Sequence, residues 1–281
     1  MLKPRSNLVV TSLLAMLLVP QLGLTQPGDN GVYTAATTPW GHPDFQGVWD
    51  RRTITPLERP ERLAGKAFLT PEEIVSYEKE SAARPDGRPL DARRAGISVH
   101  DPQDLDYGST VLATGQTSLV VDPPDGRIPA YTQAADERAA VAAQLRESRG
   151  SADSWTDRSL NERCLTWGMP NGMLPQAYNN NIQIIQTPNE VMILTEMVHD
   201  ARIIPLDGRP HLPKTITQWH GDARGHWESE TLVIETTNFS AKSSFRGSSS
   251  NLQLEERYTR IDEGLLQYEF TVTDDTTWER P

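Results

Sequence analysis

The sequence is nearly devoid of cysteine. Cys164 is the only one in 281 residues, so the chain has no internal disulfide to close. A nucleophilic thiol needs a neighbouring base and an exposed thiolate. Arg163 and Trp167 suggest neither, and Cys164 is expected to be a buried structural residue. Long apolar runs are also missing. The hydrophobic fraction is 37% and the mean hydropathy is -0.53. The one apolar run, Leu8 to Val19, is too short to span a bilayer and has the length of a secretory h-region.

Positive charge is scarce as well. The net charge is -11, and without Lys3 and Arg5 there are 25 basic against 38 acidic residues, a net of -13. That balance argues against nucleic acid or an anionic membrane as partner. Several signatures are absent. There is no Gly-x-Ser-x-Gly elbow for a nucleophilic serine and no Gly-x-Gly-x-x-Gly or Walker loop for phosphates. His-Glu-x-x-His and His-x-His pairs for a metal are missing too.

What is present begins with Lys3 and Arg5, the apolar run, a break at Pro20 and small residues at Gly23 and Thr25. Together they read as a signal peptide over residues 1–26, with a membrane anchor left uncut as the alternative. A periplasmic or secreted protein follows, with no membrane contact once the signal is cleaved. The 21 prolines and 19 glycines imply much turn and loop. Residues 27–115 read as a loop-rich N-terminal region with one helix. Its start is Thr70-Pro71-Glu72-Glu73, where threonine caps, proline suits the first turn and Glu73 completes a capping box. A second helix is expected from Thr132 to Ser148, stopped by Gly150.

Residues 116–281 read as a β-barrel-like domain with that helix inserted, forming one structural unit with 40–115. Short strands are expected at 45–49, 118–121, 181–187, 190–197, 199–205, 215–219, 226–228, 231–237, 252–261 and 265–273, with turns such as Pro188-Asn189 and Gly221 to Gly225 between them. Leu266, Tyr268, Phe270 and Val272 share one face by period two. The fold expected is mainly β: an antiparallel meander forming a barrel or strongly curved sheet, with two helices and long loops. The chain stops at Trp278-Glu279-Arg280-Pro281, directly after a strand, which reads as a truncated sequence, with a natural end as the alternative.

Polar groups fit for chemistry concentrate between Tyr178 and Ser240. A two-residue turn at Pro188-Asn189 pairs Asn181 with Glu196, Gln183 with Leu194 and Ile185 with Met192. One face then carries Asn181, Gln183 and Glu196. An unbroken strand adds Asp200 and Arg202 to it and turns His199 away. As a pocket lining, Asn181 and Gln183 would orient a polar ligand and Glu196 or Asp200 would act as general base. Arg202 would hold an anionic group, with His199 also in play. As a solvated sheet face, the same residues would do none of this. His199, His211, His220 and His226 are candidate metal ligands that must converge from separate loops; otherwise no cofactor is expected. Trp219, Trp227 and Trp278 suit either a stacking platform for a ligand or plugs of a small β core.

Gly47-Val48-Trp49 and Gly225-His226-Trp227 resemble the Gly-x-Trp motif of lipocalin-like, calycin-type barrels. More broadly, the runs 118–127, 179–188, 195–210 and 227–239 resemble a family of exported soil-bacterial proteins without an assigned biochemical role. That likeness covers most of the chain beyond about Trp40 and implies export and a bacterial origin. It brings no activity and no catalytic residues. The function expected is binding of a small-molecule ligand or substrate in the barrel-like pocket. The alternatives are a cofactor-free acid–base hydrolase, isomerase or cyclase using Glu196, Asp200, Arg202 and His199, and a metal-dependent enzyme built on the histidines.

Overall fold

Thr70 opens the first helix as its sequence requires. In the computed structural model, which describes residues 33–86, 88–91 and 105–281, α1 spans Pro71–Ala82. The Thr70 hydroxyl accepts from Glu73 N at 3.3 Å, and the Glu73 carboxylate accepts from Thr70 N at 2.8 Å, the reciprocal capping box. The second helix, α2, spans Gln133–Glu147 and is capped by Thr132; Ala135 is its one buried residue. The expected signal at 1–26 and part of the expected loop at 84–115 lie outside the described residues. No helix among the described residues is long and apolar enough to cross a membrane.

The chain is mainly β. Strands β1 (Gly47–Asp50), β2 (Asn181–Gln186), β3 (Glu190–Thr195) and β4 (Ala201–Pro205) form one antiparallel sheet in that order. Strands β5 (Asp222–Glu228), β6 (Thr231–Thr237), β7 (Gln253–Asp262) and β8 (Leu265–Thr273) form a second antiparallel meander. Period two sorts the side chains. Ile182, Ile184, Val191, Ile193 and Ile204 of the first sheet share one core with Leu232, Ile234, Leu254 and Tyr258 of the second. Each such aliphatic side chain stabilises the fold by roughly 1.5–3 kcal/mol. Leu266, Tyr268, Phe270 and Val272 pack against the same core, as their alternation predicts. Residues 33–281 form one compact unit.

The strands thus divide between two sheets, where one barrel or strongly curved sheet was expected. Strands β4 and β5 are the edges at the division. Between them residues 206–221 form a loop rather than a hairpin. Gly225, expected to end a turn, lies inside β5, which already starts at Asp222. A Cβ at this position would stand 2.8 Å from the side chains of Ile204 and Leu206. The glycine marks close approach of two elements, not a turn.

Two expected strands do not form. At 118–121 the Ser118 hydroxyl takes the Val120 carbonyl at 2.7 Å, competing with a ladder. At 215–219 a buried side chain intervenes. Asn238 Nδ2 donates to the carbonyls of Leu212, Pro213 and Ile216 at 2.9–3.1 Å, holding the loop against β6. Cys164 is exposed, contrary to expectation. It sits in a local turn at left-handed φ 52°, on the outer side of a segment that buries Thr166, Met169 and Met173 instead.

Candidate functional site

The hairpin register is the one read from the sequence, with Gln183 opposite Leu194 and Ile185 opposite Met192. Asn181 N and Nδ2 donate to Glu196 Oε2 at 3.1 and 3.0 Å. This cluster lies on the outer face, where Asn181, Gln183 and Glu196 are all exposed. It is a capped hairpin end and does not line the groove where β4 meets β5.

Asp200 and Arg202 do not join it. Val198 and His199 take left-handed φ of 58° and 43°, conformations side chains adopt at a cost. The kink ends the strand and reverses the side-chain alternation. His199 is left exposed. Arg202 falls opposite Ile193 on the inner face. There it makes a two-pronged pair with Glu256 across the core, at 2.9 and 2.5 Å, with side-chain exposures of 5% and 0%.

Asp200 turns toward the loop between α2 and β2. Its Oδ2 accepts from Thr166 Oγ1 at 2.9 Å and from Trp167 N at 3.0 Å, and lies 3.2 Å from His220 Nε2. Thr166 Oγ1 is 2.6 Å from the same nitrogen and accepts from Gly168 N at 2.8 Å. Burial pushes the Asp200 carboxyl up; the hydrogen bonds from His220, Trp167 N and Thr166 outweigh it and hold the group below its ordinary range. An ionised Asp200 only accepts, so the Thr166 proton points at Asp200. Nε2 must then carry the proton, which is shared between Thr166 Oγ1 at 2.6 Å and Asp200 Oδ2 at 3.2 Å. The chain of donors runs from His220 through Thr166 to Asp200. Nδ1 of His220 is the lone-pair nitrogen of the neutral ring, and it makes no hydrogen bond among the described residues.

Thr166 is not a nucleophile in this arrangement. It is buried to 1% exposure, and Asp200 meets the same imidazole nitrogen rather than the opposite one, unlike a hydrolase triad.

His220 lines a groove of about 610 Å³ where β4 meets β5. Leu165, Ile203 and Trp219 supply apolar walls, and Arg209 and Arg224 stand at its polar side. Gly221, at φ 71°, fixes the turn that presents His220. A Cβ there would lie 2.6 Å from Thr237 O, so only glycine fits. Next to it, Asp222 is buried and accepts from His211 Nδ1 at 3.1 Å, Leu212 N at 2.9 Å and Arg224 Nη1 at 2.7 Å. Burial raises its carboxyl, and these donors outweigh burial and lower it.

No protein-family model, no curated protein and no solved structure matches this chain.

The four candidate histidines are dispersed. His211 pairs with Asp222, His220 with Asp200 and His226 with Glu228. Among the described residues no three His, Cys, Asp or Glu side chains gather as a metal site. Of the tryptophans, Trp219 lines the groove at 38% exposure. Trp227 stacks on His42, ring centres 5.0 Å apart, and Trp278 is buried. Sequence reasoning missed Thr166, Asp222 and Arg224. The triplet His220-Gly221-Asp222 was the available signal, a glycine between two chemically able residues ahead of a strand.

Proposed function

We propose that this chain is an exported protein that binds a small molecule in the groove between β4 and β5. The observation that carries the reading is the His220 ring. It is fixed through Nε2, its Nδ1 has no hydrogen-bond partner among the described residues, and it lines the groove together with the partly exposed Trp219. A mixed groove with one aromatic wall and one oriented polar atom is the usual composition of a ligand site. The arginines near it are already paired, Arg209 with Asp207, Arg224 with Asp222 and Arg202 with Glu256. Little net positive field is left for a multiply charged anion. The ligand is a flat, weakly charged molecule that stacks on Trp219 and gives a hydroxyl or acidic proton to Nδ1. Export rests on the basic start and apolar run of residues 1–26 and on the likeness to exported soil-bacterial proteins. The likeness to lipocalin-like barrels supports ligand capture, with the meeting edges of two sheets in place of a barrel mouth.

Naphthol, a flat phenol, is the test ligand. Titration is expected to change tryptophan emission in the wild-type protein. Trp219→Phe should abolish the change, and His220→Gln should weaken binding about tenfold, the loss of one hydrogen bond of roughly 1–1.5 kcal/mol. Binding that ignores both substitutions, or no binding by naphthol and related bicyclic phenols, would sink the reading.

A further inference from the structure

The hydrogen-bond order around His220 does more than orient a ligand. A neutral imidazole with its Nε2 proton committed to an acceptor has its lone pair fixed on Nδ1, the atom that takes a substrate proton. Here the acceptor is the Thr166 hydroxyl, which hands its own proton to Asp200 at 2.9 Å. The carboxylate is held ionised by three donors and sits behind the ring, with a side-chain exposure of 15%. Gly168 N donates to the hydroxyl from a third side at 2.8 Å, filling a lone pair of an oxygen whose own proton goes to Asp200. Leu165, Ile203 and Trp219 line the same groove as the ring and offer apolar surface to a flat substrate. Arg209 lines the same groove. Its bonds to Asp207 use Nε and Nη2 and leave Nη1 free of hydrogen bonds among the described residues. That ion pair is exposed and weak, so the guanidinium is able to turn toward a new negative charge.

We propose that His220 is a general base, positioned by Thr166 and Asp200, that removes a proton from a flat, weakly charged substrate carrying an acidic C–H bond next to a carbonyl. This rests on the groove being the binding site. In the step, the C–H bond breaks and an Nδ1–H bond forms. The electron pair moves onto the carbonyl oxygen as an enolate beside Arg209. Where a carbon–carbon double bond flanks the acidic carbon, the enolate is a dienolate; return of the proton to the far carbon of that bond gives the conjugated isomer, so no oxidant, reductant or second substrate enters. His220 is the catalytic residue; Thr166 and Asp200 act through it.

Two measurements test this without knowledge of the natural substrate. The first is the tautomer of each histidine, read by long-range proton–nitrogen NMR on the whole protein near pH 8, with His220 assigned by the signal lost in His220→Gln. The expected result is a proton on Nε2 of His220 and a bare Nδ1. Thr166→Val and Asp200→Asn should each turn this into a mixture of tautomers, which a merely structural role would not. A proton on Nδ1 of His220 in the wild-type protein overturns the proposal.

The second measurement uses nitrobenzisoxazole, a flat C–H acid that any positioned base opens. The base takes the ring proton, the C–H pair becomes the third bond of a nitrile, the N–O bond breaks and a coloured phenolate leaves. The protein is expected to speed this opening, and His220→Gln to lower the rate about a hundredfold. Thr166→Val should lower it less, while Trp219→Phe weakens probe binding. Trp219-dependent binding of the probe with a rate indifferent to His220 overturns the base and leaves the binding reading intact. Absence of Trp219-dependent binding overturns both.

Discussion

Two polar networks leave the chain two residues apart, at Asp200 and Arg202, and they end in opposite ways. From Arg202 the network crosses the core to Glu256. Glu256 Oε1 also accepts from Tyr268 OH at 3.0 Å and Tyr258 OH at 3.3 Å, and Arg202 Nη2 reaches Thr236 Oγ1 at 3.3 Å. Burial, reinforced by the Glu256 charge, pushes both phenols well above their ordinary range. Burial also lowers the guanidinium, but the Glu256 charge wins and keeps it firmly protonated. Apart from Arg202 Nε, buried without a partner among the described residues, the network closes on itself and ties β4 of one sheet to β7 of the other. From Asp200 the network passes through Thr166 to His220, a residue that lines the groove. Chemically able residues are equally available in both. The difference lies in where the unpartnered atom sits: Arg202 Nε is sealed in the core, whereas His220 lines the groove, which separates a structural tie from a site.

The largest expected effect breaks the closed network. Glu256→Ala leaves a sealed guanidinium without its counter-charge, and removing one member of a buried pair costs about 3–5 kcal/mol. Urea unfolding should show a loss of that size. Replacing both partners, Arg202→Met with Glu256→Leu, should recover most of it, because the remaining groups are apolar and the desolvation cost is gone. A loss under about 0.5 kcal/mol for Glu256→Ala, the scale of a surface change, would show that the network does not tie the sheets.

A smaller effect is expected at Asp222, which belongs to neither network but holds the groove wall. Its carboxyl is lowered from an ordinary value of 3.8, so the fold favours the ionised form. That contribution is complete above the ordinary value and is lost as pH falls through the lowered one. Asp222→Asn should cost about 1–3 kcal/mol at pH 7 by leaving His211 and Arg224 short of an acceptor. The gap to the wild-type protein should narrow below about pH 4. A gap that stays constant from pH 7 to pH 3 would mean that the charge on Asp222 contributes nothing.

Period-two patterning made the strands and one hairpin legible, because Ile182, Ile184, Val191 and Ile193 can only face inward together. Capping chemistry made α1 legible through Thr70 and Glu73. The division into two sheets was not legible, since the spacing of strand and turn is the same for a barrel and for two meanders. What decides it is the close contact at Gly225, and a strand glycine reads equally well as a turn. The site was misplaced by one assumption. Extending period two from Glu196 to Arg202 requires an unbroken strand, and nothing in Met197-Val198-His199 announces left-handed backbone. Val198 at φ 58° is a conformation a β-branched residue rarely adopts, so propensity pointed the wrong way. Asp200 was named for its chemistry, but its partner Thr166 comes from a loop 34 residues earlier, beyond the reach of any local pattern.

The smallest expected effect sharpens the comparison from its quiet side. Glu196 was the foremost acid–base candidate by sequence, and it lies on the solvent face, accepting from Asn181 N and Nδ2. Glu196→Gln keeps an oxygen able to accept from Asn181 N. Exposed carboxylates with such partners contribute little, so stability should change by less than about 0.5 kcal/mol. Naphthol affinity and the nitrobenzisoxazole rate should be those of the wild-type protein, because the Glu196 side chain bonds to no member of the Asp200–Thr166–His220 chain; the nearest link is backbone, Thr195 N to the Asp200 carbonyl at 2.9 Å. Urea unfolding and the two probe assays on the same preparation check all three. A tenfold loss in either assay with stability unchanged would move the site from the β4–β5 groove to the outer face of the first sheet. Glu196, rather than His220, would then be the group at which the open network ends.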